Sequence, residues 1–295
     1  MSDRMHLLLP LFSSVLYVFG ALWVRRAADL GVGVWRTTFV ANVFSAVLFA
    51  PLAVLGGPGQ PLAMLWQPAV LAAVLVLGQT LGFLALSRGD VTVATPVLGA
   101  KTVMVAALTV GLLGLEVPAR LWVAAGLSTG AIAVLSWSGR GSGRGVRFGL
   151  GAGLAAALAF ALFDVLVQKW APAWGAGRLL PLVMALAGAG SLGMIPLFRE
   201  PLARIARPAW GPLAMGSVCI AVQGILLIGT VAVYGDATAV NVVYSARSLW
   251  TVLAVWGVGH WFRNSEQGLG GRVLGRRLVG ALLMTVAVVL ATVGG

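Results

Sequence analysis

Charge is what this sequence has least of: Asp, Glu, Lys and Arg together make up 9% of 295 residues, where soluble domains carry roughly 25%. A chain this long could bury a large soluble core, but it lacks the polar residues to cover one. It has one cysteine, Cys219, set in an apolar run, so no disulfide framework is possible. Its two histidines, His6 and His260, stand far apart without companion ligands, so no metal is expected. No G-x-x-x-x-G-K-[ST] loop occurs, which excludes ATP hydrolysis by this chain. No nucleophile–base set occurs either, so an enzyme is not expected, and no cofactor is. The apolar runs do not alternate with a period of two, which argues against a membrane barrel of short strands.

What the chain has in quantity is apolar residues, 60% of the total, with a mean hydropathy of +0.99. The solvent for most of its surface is therefore lipid. There, every backbone N–H and C=O must be paired internally, and runs about 20 residues long meet that demand as helices. The net charge of +12 does not indicate nucleic acid, because the basic residues lie in short loops between apolar runs, where they set orientation. The 11 Trp fit interfacial belts at span ends.

Ten spans are expected, at 5–24, 34–55, 67–87, 92–114, 120–137, 148–169, 179–198, 209–233, 238–261 and 275–294. The first is expected to be a true span and not a cleaved signal, since no clear small-residue cleavage site follows it. Short turns join them, such as Gly56-Gly57-Pro58-Gly59 and Glu116-Val117-Pro118. One Gly/Ser-rich stretch reads as a linker, beginning Ser138-Gly139-Arg140-Gly141 and spanning 138–147. It divides the chain into residues 1–137 and 148–295, five spans each.

The halves echo one another. Residues 235–251 repeat the pattern of 89–105 at an offset of 146. Gly235, Asp236 and Thr238 match Gly89, Asp90 and Thr92; Asn241 matches Thr95; Arg247 matches Lys101. At an offset of 144, Gln223 matches Gln79, and Asp164 falls opposite Gly20. Together these matches support an internal duplication. A half with an odd number of spans ends on the side opposite its start, so the second copy must be inserted upside down. The expected fold class is all-α membrane: ten transmembrane helices as two inverted five-helix repeats, the plan of many secondary transporters. Fourteen Lys/Arg lie on the side of loops 1–2, 3–4, 5–6, 7–8 and 9–10, against 4 on the side of the termini. The positive-inside rule then puts both termini outside the cytoplasm.

Three charges fall inside spans, clear of their terminal turns: Lys101, Arg247 and Asp164. Lys101 and Arg247 each lie nine residues into a span, about 14 Å at the helical rise and close to the midplane. Asp164 lies near the end of the sixth. A charge at that depth costs about 2.5–3.5 kcal/mol on insertion scales and persists where it faces a wet cavity or a partner. Three readings are open: a buried ionic cluster holding helices together, a site for substrate and coupling, or side chains that snorkel towards an interface. Two cations against one acid suit a carboxylate, a phosphate or a zwitterion. In the second reading Lys101 and Arg247 bind substrate and Asp164 couples transport to protons. Gln168, one turn from Asp164, shares its face. Tyr244, Thr95, Asn241, Gln79 and Gln223 fill out the lining; for the two glutamines, hydrogen bonding between helices is an equal reading. At Pro96 two readings are equal: a break that opens a backbone carbonyl to the cavity, or an ordinary first-turn proline. Asp90 and Asp236 are expected as helix N-caps. Gly126-Leu127-Ser128-Thr129-Gly130 fits G-x-S-x-G, but without a preceding strand or partner His it reads as small-residue packing. Gly78 and Gly82 form another such small-residue pair.

The layout resembles the drug/metabolite transporter superfamily, specifically its EamA-like ten-span carriers. The likeness rests on Trp35-Arg36 opening span two, on the run from Ala85 through Gly89-Asp90 to Thr95-Pro96-Val97, and on Leu113-Gly114-Leu115-Glu116. It covers the whole chain, although Arg263-Asn264-Ser265-Glu266-Gln267-Gly268 before span ten departs from the compact Gly-Glu turn. The resemblance implies export or exchange of small metabolites by alternating access. It also implies a central cavity lined by spans one, three, four, six, eight and nine. Nucleotide-sugar and triose-phosphate relatives are similar in placing basic residues in spans four and nine. The expected partners are a small-molecule substrate, protons and the lipid bilayer of a bacterial inner membrane, with the chain as monomer or homodimer. The rival expectation is a lipid flippase or an accessory membrane protein that transports no solute.

Overall fold

The computed structural model describes residues 2–88, 97–136, 144–250, 253 and 271–292. The described residues are helical throughout, with ten α-helices: α1 Leu8–Asp29, α2 Val34–Phe49, α3 Trp66–Arg88, α4 Lys101–Leu113, α5 Ala119–Ser136, α6 Arg144–Trp174, α7 Ala176–Gly190, α8 Arg207–Tyr234, α9 Ala237–Tyr244 and α10 Gly271–Thr292. Six segments are long and apolar enough to cross a bilayer: Met5–Asp29, Val34–Leu55, Leu62–Ala85, Arg147–Trp174, Ala176–Leu197 and Arg207–Tyr234. Three shorter apolar helices, Val97–Leu113, Ala119–Leu135 and Leu278–Thr292, accompany them. Large apolar side chains point outward along these helices, Val47 and Leu282 among them at 64% and 66% exposure, as lipid-facing surface requires.

Eight of the spans read from the sequence fall on these helices, with ends displaced by a few residues; the fourth and ninth lie only partly among the described residues. The sixth is longer than expected, because Arg144–Trp174 continues past Lys169 through Pro172. The second and seventh end in 3₁₀ turns, Ala50–Leu55 and Ser191–Leu197. The ninth is not one continuous α-helix over its described part: α9 closes at Tyr244 and a turn at Ser245–Ala246 precedes Arg247. Residues 254–261 of that expected span, the linker stretch 138–143, and Asp90, Thr95 and Pro96 lie outside the described residues.

The packing pairs exchange when the halves are exchanged. Helix α1 lies on α8 and α6 on α3; α2 on α8 and α7 on α3; α4 on α6 and α9 on α1. Helices α2 and α7 meet each other, as do α5 and α10. Glycine makes the closest of these crossings possible. At Gly216 in α8 an added Cβ would fall 3.0 Å from the Val24 backbone nitrogen of α1, and at Gly78 in α3 it would fall 3.1 Å from the Phe160 ring of α6. The sequence also marked Gly126 and Gly130 for close packing, but a Cβ at either meets nothing within 4 Å. Within the described chain they therefore close no helix pair. Ser128 between them turns its hydroxyl back to the Ala125 carbonyl, 2.9 Å away.

Gly216→Ala should lower the melting temperature of the detergent-purified protein, with about 1–3 kcal/mol of overpacking strain. Gly126→Ala should leave it unchanged or raise it, because alanine stiffens a helix at a point that has room. Equal melting temperatures for the two variants would contradict this reading of the α1–α8 crossing.

Candidate functional site

The start of α4, the middle of α6 and the short α9 bring three of the expected residues into direct contact. The Lys101 ammonium stands 2.7 Å from Asp164 Oδ2, with the side chains 14% and 5% exposed. Asn241 Nδ2 donates to the same oxygen at 2.7 Å and to the Ala237 carbonyl at 2.9 Å. One carboxylate oxygen thus receives a charged donor and a neutral one, from two different helices. One turn along α6, Gln168 Oε1 accepts the Ala237 backbone N–H at 3.0 Å. A polar chain therefore runs from Lys101 through Asp164 and Asn241 to the N-terminus of α9.

Arg247 is held differently. Its guanidinium lies 4.5 Å from the Tyr244 ring centroid and 5.5 Å from that of Tyr17 in α1. The two rings meet edge to face at 6.0 Å. A cation over desolvated aromatic faces gains ~2 kcal/mol, and a planar guanidinium suits two rings better than an ammonium does. Lys101 has an aromatic neighbour as well, the Phe160 ring of α6 at 5.9 Å. Each cation thus has an aromatic neighbour on the first helix of the other half, α6 for Lys101 and α1 for Arg247, and Arg247 has Tyr244 of its own half nearer still. Between the two cations, Thr102 and Ser245 share a buried hydroxyl–hydroxyl contact of 3.1 Å.

The backbone repeats this correspondence. The Ala100 N–H bonds back three residues to Val97, and the Ala246 N–H bonds back three to Val243, at 3.0 and 3.1 Å. Both tight turns end immediately before the cation, at positions matched by the offset of 146. Short 3₁₀ pieces inside helices are a common mark of functional sites, and interrupted helices recur at the binding sites of secondary transporters.

Other expected residues are held elsewhere. Gln79 pairs amide to amide with Asn42 of α2, with two bonds of 3.0 Å. Gln223 accepts from Ser13 of α1 through its backbone carbonyl at 2.8 Å and its side chain at 3.2 Å. Both glutamines thus make the interhelical bonds that were their alternative reading. Thr95 is outside the described residues. Asp236 caps α9, accepting the Ala239 N–H at 3.0 Å, as expected of it. Tyr17, Phe160, Thr102 and Ser245 were not singled out from the sequence. A search for aromatic residues within a turn of the position matching Asp164 in the other half would have found Tyr17.

Residues 4–137 match the EamA-like transporter family. The resemblance read from the sequence is borne out over those residues, and the six long apolar segments fit an integral membrane protein. Among solved structures 29 chains match. One, described only as "Crystal structure of protein", superposes with a TM-score of 0.77 at 17% identity, covering 99% of this chain and 99% of that one. At that identity the likeness shows a shared fold, and it extends over the second half as well as the EamA-like half. No curated protein matches.

Proposed function

We propose that this protein is a secondary active transporter, an exporter or exchanger of small polar or anionic organic metabolites such as amino acids. It works by alternating access between two inverted five-helix repeats, residues 1–137 and 148–295. The observation that carries the proposal is the Lys101–Asp164–Asn241 contact, buried where α4, α6 and α9 meet, with Arg247 nearby. Buried ion pairs stabilise a fold poorly against apolar residues of the same volume, so their presence in an apolar bundle favours a use beyond cohesion. The exchange pattern of the helix pairs supports the repeat, and the matched 3₁₀ turns support a site where the repeats meet.

In the proposed cycle a solute carboxylate or phosphate takes Lys101 away from Asp164 and is gripped on its other side by Arg247. Asp164, deprived of its counter-ion, takes up a proton. Transport of the solute and movement of the proton are then linked through one contact. Both termini lie outside the cytoplasm in this proposal, following the Lys/Arg bias.

The test is a panel of amino acids, carboxylates and phosphates assayed by thermal stabilisation of the purified protein, with hits carried into proteoliposome uptake. At least one anionic or zwitterionic solute should stabilise the parent. Arg247→Ala should abolish both that stabilisation and uptake while keeping the folded yield. Stabilisation by lipid headgroups alone, or an Arg247→Ala variant that transports normally, would overturn the proposal.

A further inference from the structure

One turn beyond the ionic contact, the structure holds a cavity of about 200 Å³ at the junction of four segments. Its polar lining is Thr109 of α4, Glu116 of the α4–α5 turn, Gln168 of α6, and Asp236 and Thr238 at the start of α9. The lining has two carboxylates and no Lys or Arg, in a chain of net charge +12. Glu116 is exposed, and Asp236 is half-buried.

Two buried hydroxyls are left over. Thr109 Oγ1 and Thr238 Oγ1 have no hydrogen-bond partner, and their residues are 5% and 2% exposed. An unpaired buried hydroxyl costs free energy, so each such group calls for an explanation. Here both unpaired hydroxyls belong to residues lining the same small cavity. An anion fits the lining badly. Three of the N–H groups at this helix start are already taken: Ala237 by Gln168, Ala239 by the Asp236 side chain and Val240 by the Asp236 carbonyl. What remains is a set of oxygens, two of them charged, around a space suited to a small cation.

We propose that this cavity is a binding site for a small monovalent cation, either the primary ammonium group of an organic solute or an inorganic cation such as sodium. The carboxylates of Glu116 and Asp236 supply the charge, and the hydroxyls of Thr109 and Thr238 accept from or coordinate the ion. Gln168 belongs to this wall and also follows Asp164 by one turn, so the site adjoins the ionic contact directly. Its role in transport rests on the proposed function, whereas its occupation by a cation does not. For a zwitterionic solute, it would receive the ammonium end while Lys101 and Arg247 await the carboxylate.

The test is thermal-shift titration of the full-length purified protein at constant ionic strength. Methylammonium chloride and sodium chloride are the two probes, with bulky choline chloride as control. One probe should stabilise the parent saturably: methylammonium if the source is a solute amine, sodium if it is an inorganic ion. Glu116→Gln, at an exposed turn, and Thr238→Val, which keeps side-chain shape, should each weaken the effective affinity about tenfold or more, the range for a hydrogen bond to a charged group. Stabilisation by neither probe, or by one that both variants leave unchanged, overturns the site. Cation binding without any transported solute would sink the transport reading and leave the site standing; transport without cation binding would do the reverse.

Discussion

A Lys101→Met, Asp164→Leu double variant should melt at or above the temperature of the parent and transport nothing. The ammonium and the carboxylate are 2.7 Å apart and largely buried. Removing one partner strands the other in an apolar bundle at a cost of about 3–5 kcal/mol, whereas replacing both with well-packed apolar groups is often neutral or stabilising. Lys101→Met alone should therefore lose both stability and transport, which makes the single variant hard to interpret. The double variant separates the two. If the contact serves only to hold α4 against α6, restoring stability restores function. If it is the seat of the solute, stability returns and uptake does not. Stability by thermal melting and uptake in proteoliposomes, measured on one preparation, decide between them.

Asp164→Asn should uncouple the carrier. The amide is nearly the shape of the carboxylate and can still accept from Asn241, which now reaches Asp164 at 2.7 Å, but it cannot take up a proton. Solute accumulation driven by an imposed pH gradient should fall by an order of magnitude or more, while counterflow of labelled against unlabelled solute persists. Undiminished pH-driven accumulation would remove Asp164 from the coupling step. Loss of counterflow together with accumulation would place it in solute binding instead.

Much of this architecture was legible before any coordinate. Lipid allows few backbone solutions, so a run such as 67–87 declares its helix, and the observed α3 is Trp66–Arg88. The cap at Asp236 was equally plain, because a short acceptor before a helix has one good use there. The pairing of Lys101 with Asp164 was foreseeable from charge alone, since each would be costly in the bundle unpaired. The polar bonds of Gln79 with Asn42 and of Gln223 with Ser13 were harder to read. They depend on how two helices are rotated about their axes, and helices apolar on every side carry little sign of which face turns inward. The acidic cavity escaped notice for a related reason. Its walls come from residues 109, 116, 168, 236 and 238, and no single stretch contains enough of them to form a motif. The break before Arg247 was unexpected as well, because no proline marks it and the hydrogen-bond shift from four residues to three leaves no trace in composition.

The crossed partnership of the two cations bears on descent. Lys101 in the first half is attended by Phe160 and Asp164 in the second, and Arg247 in the second is attended by Tyr17 in the first. A change at position 101 is therefore tolerated or rejected by residues 160 and 164, encoded on the far side of the midpoint. Under the proposed duplication the two copies could specialise only in step, each alteration in one constraining what the other could become. Among descendants of the same duplication, substitutions at 101 should covary with 164 across the linker more strongly than with neighbours in their own half. The first half carried alone would inherit Lys101 without Phe160 and Asp164.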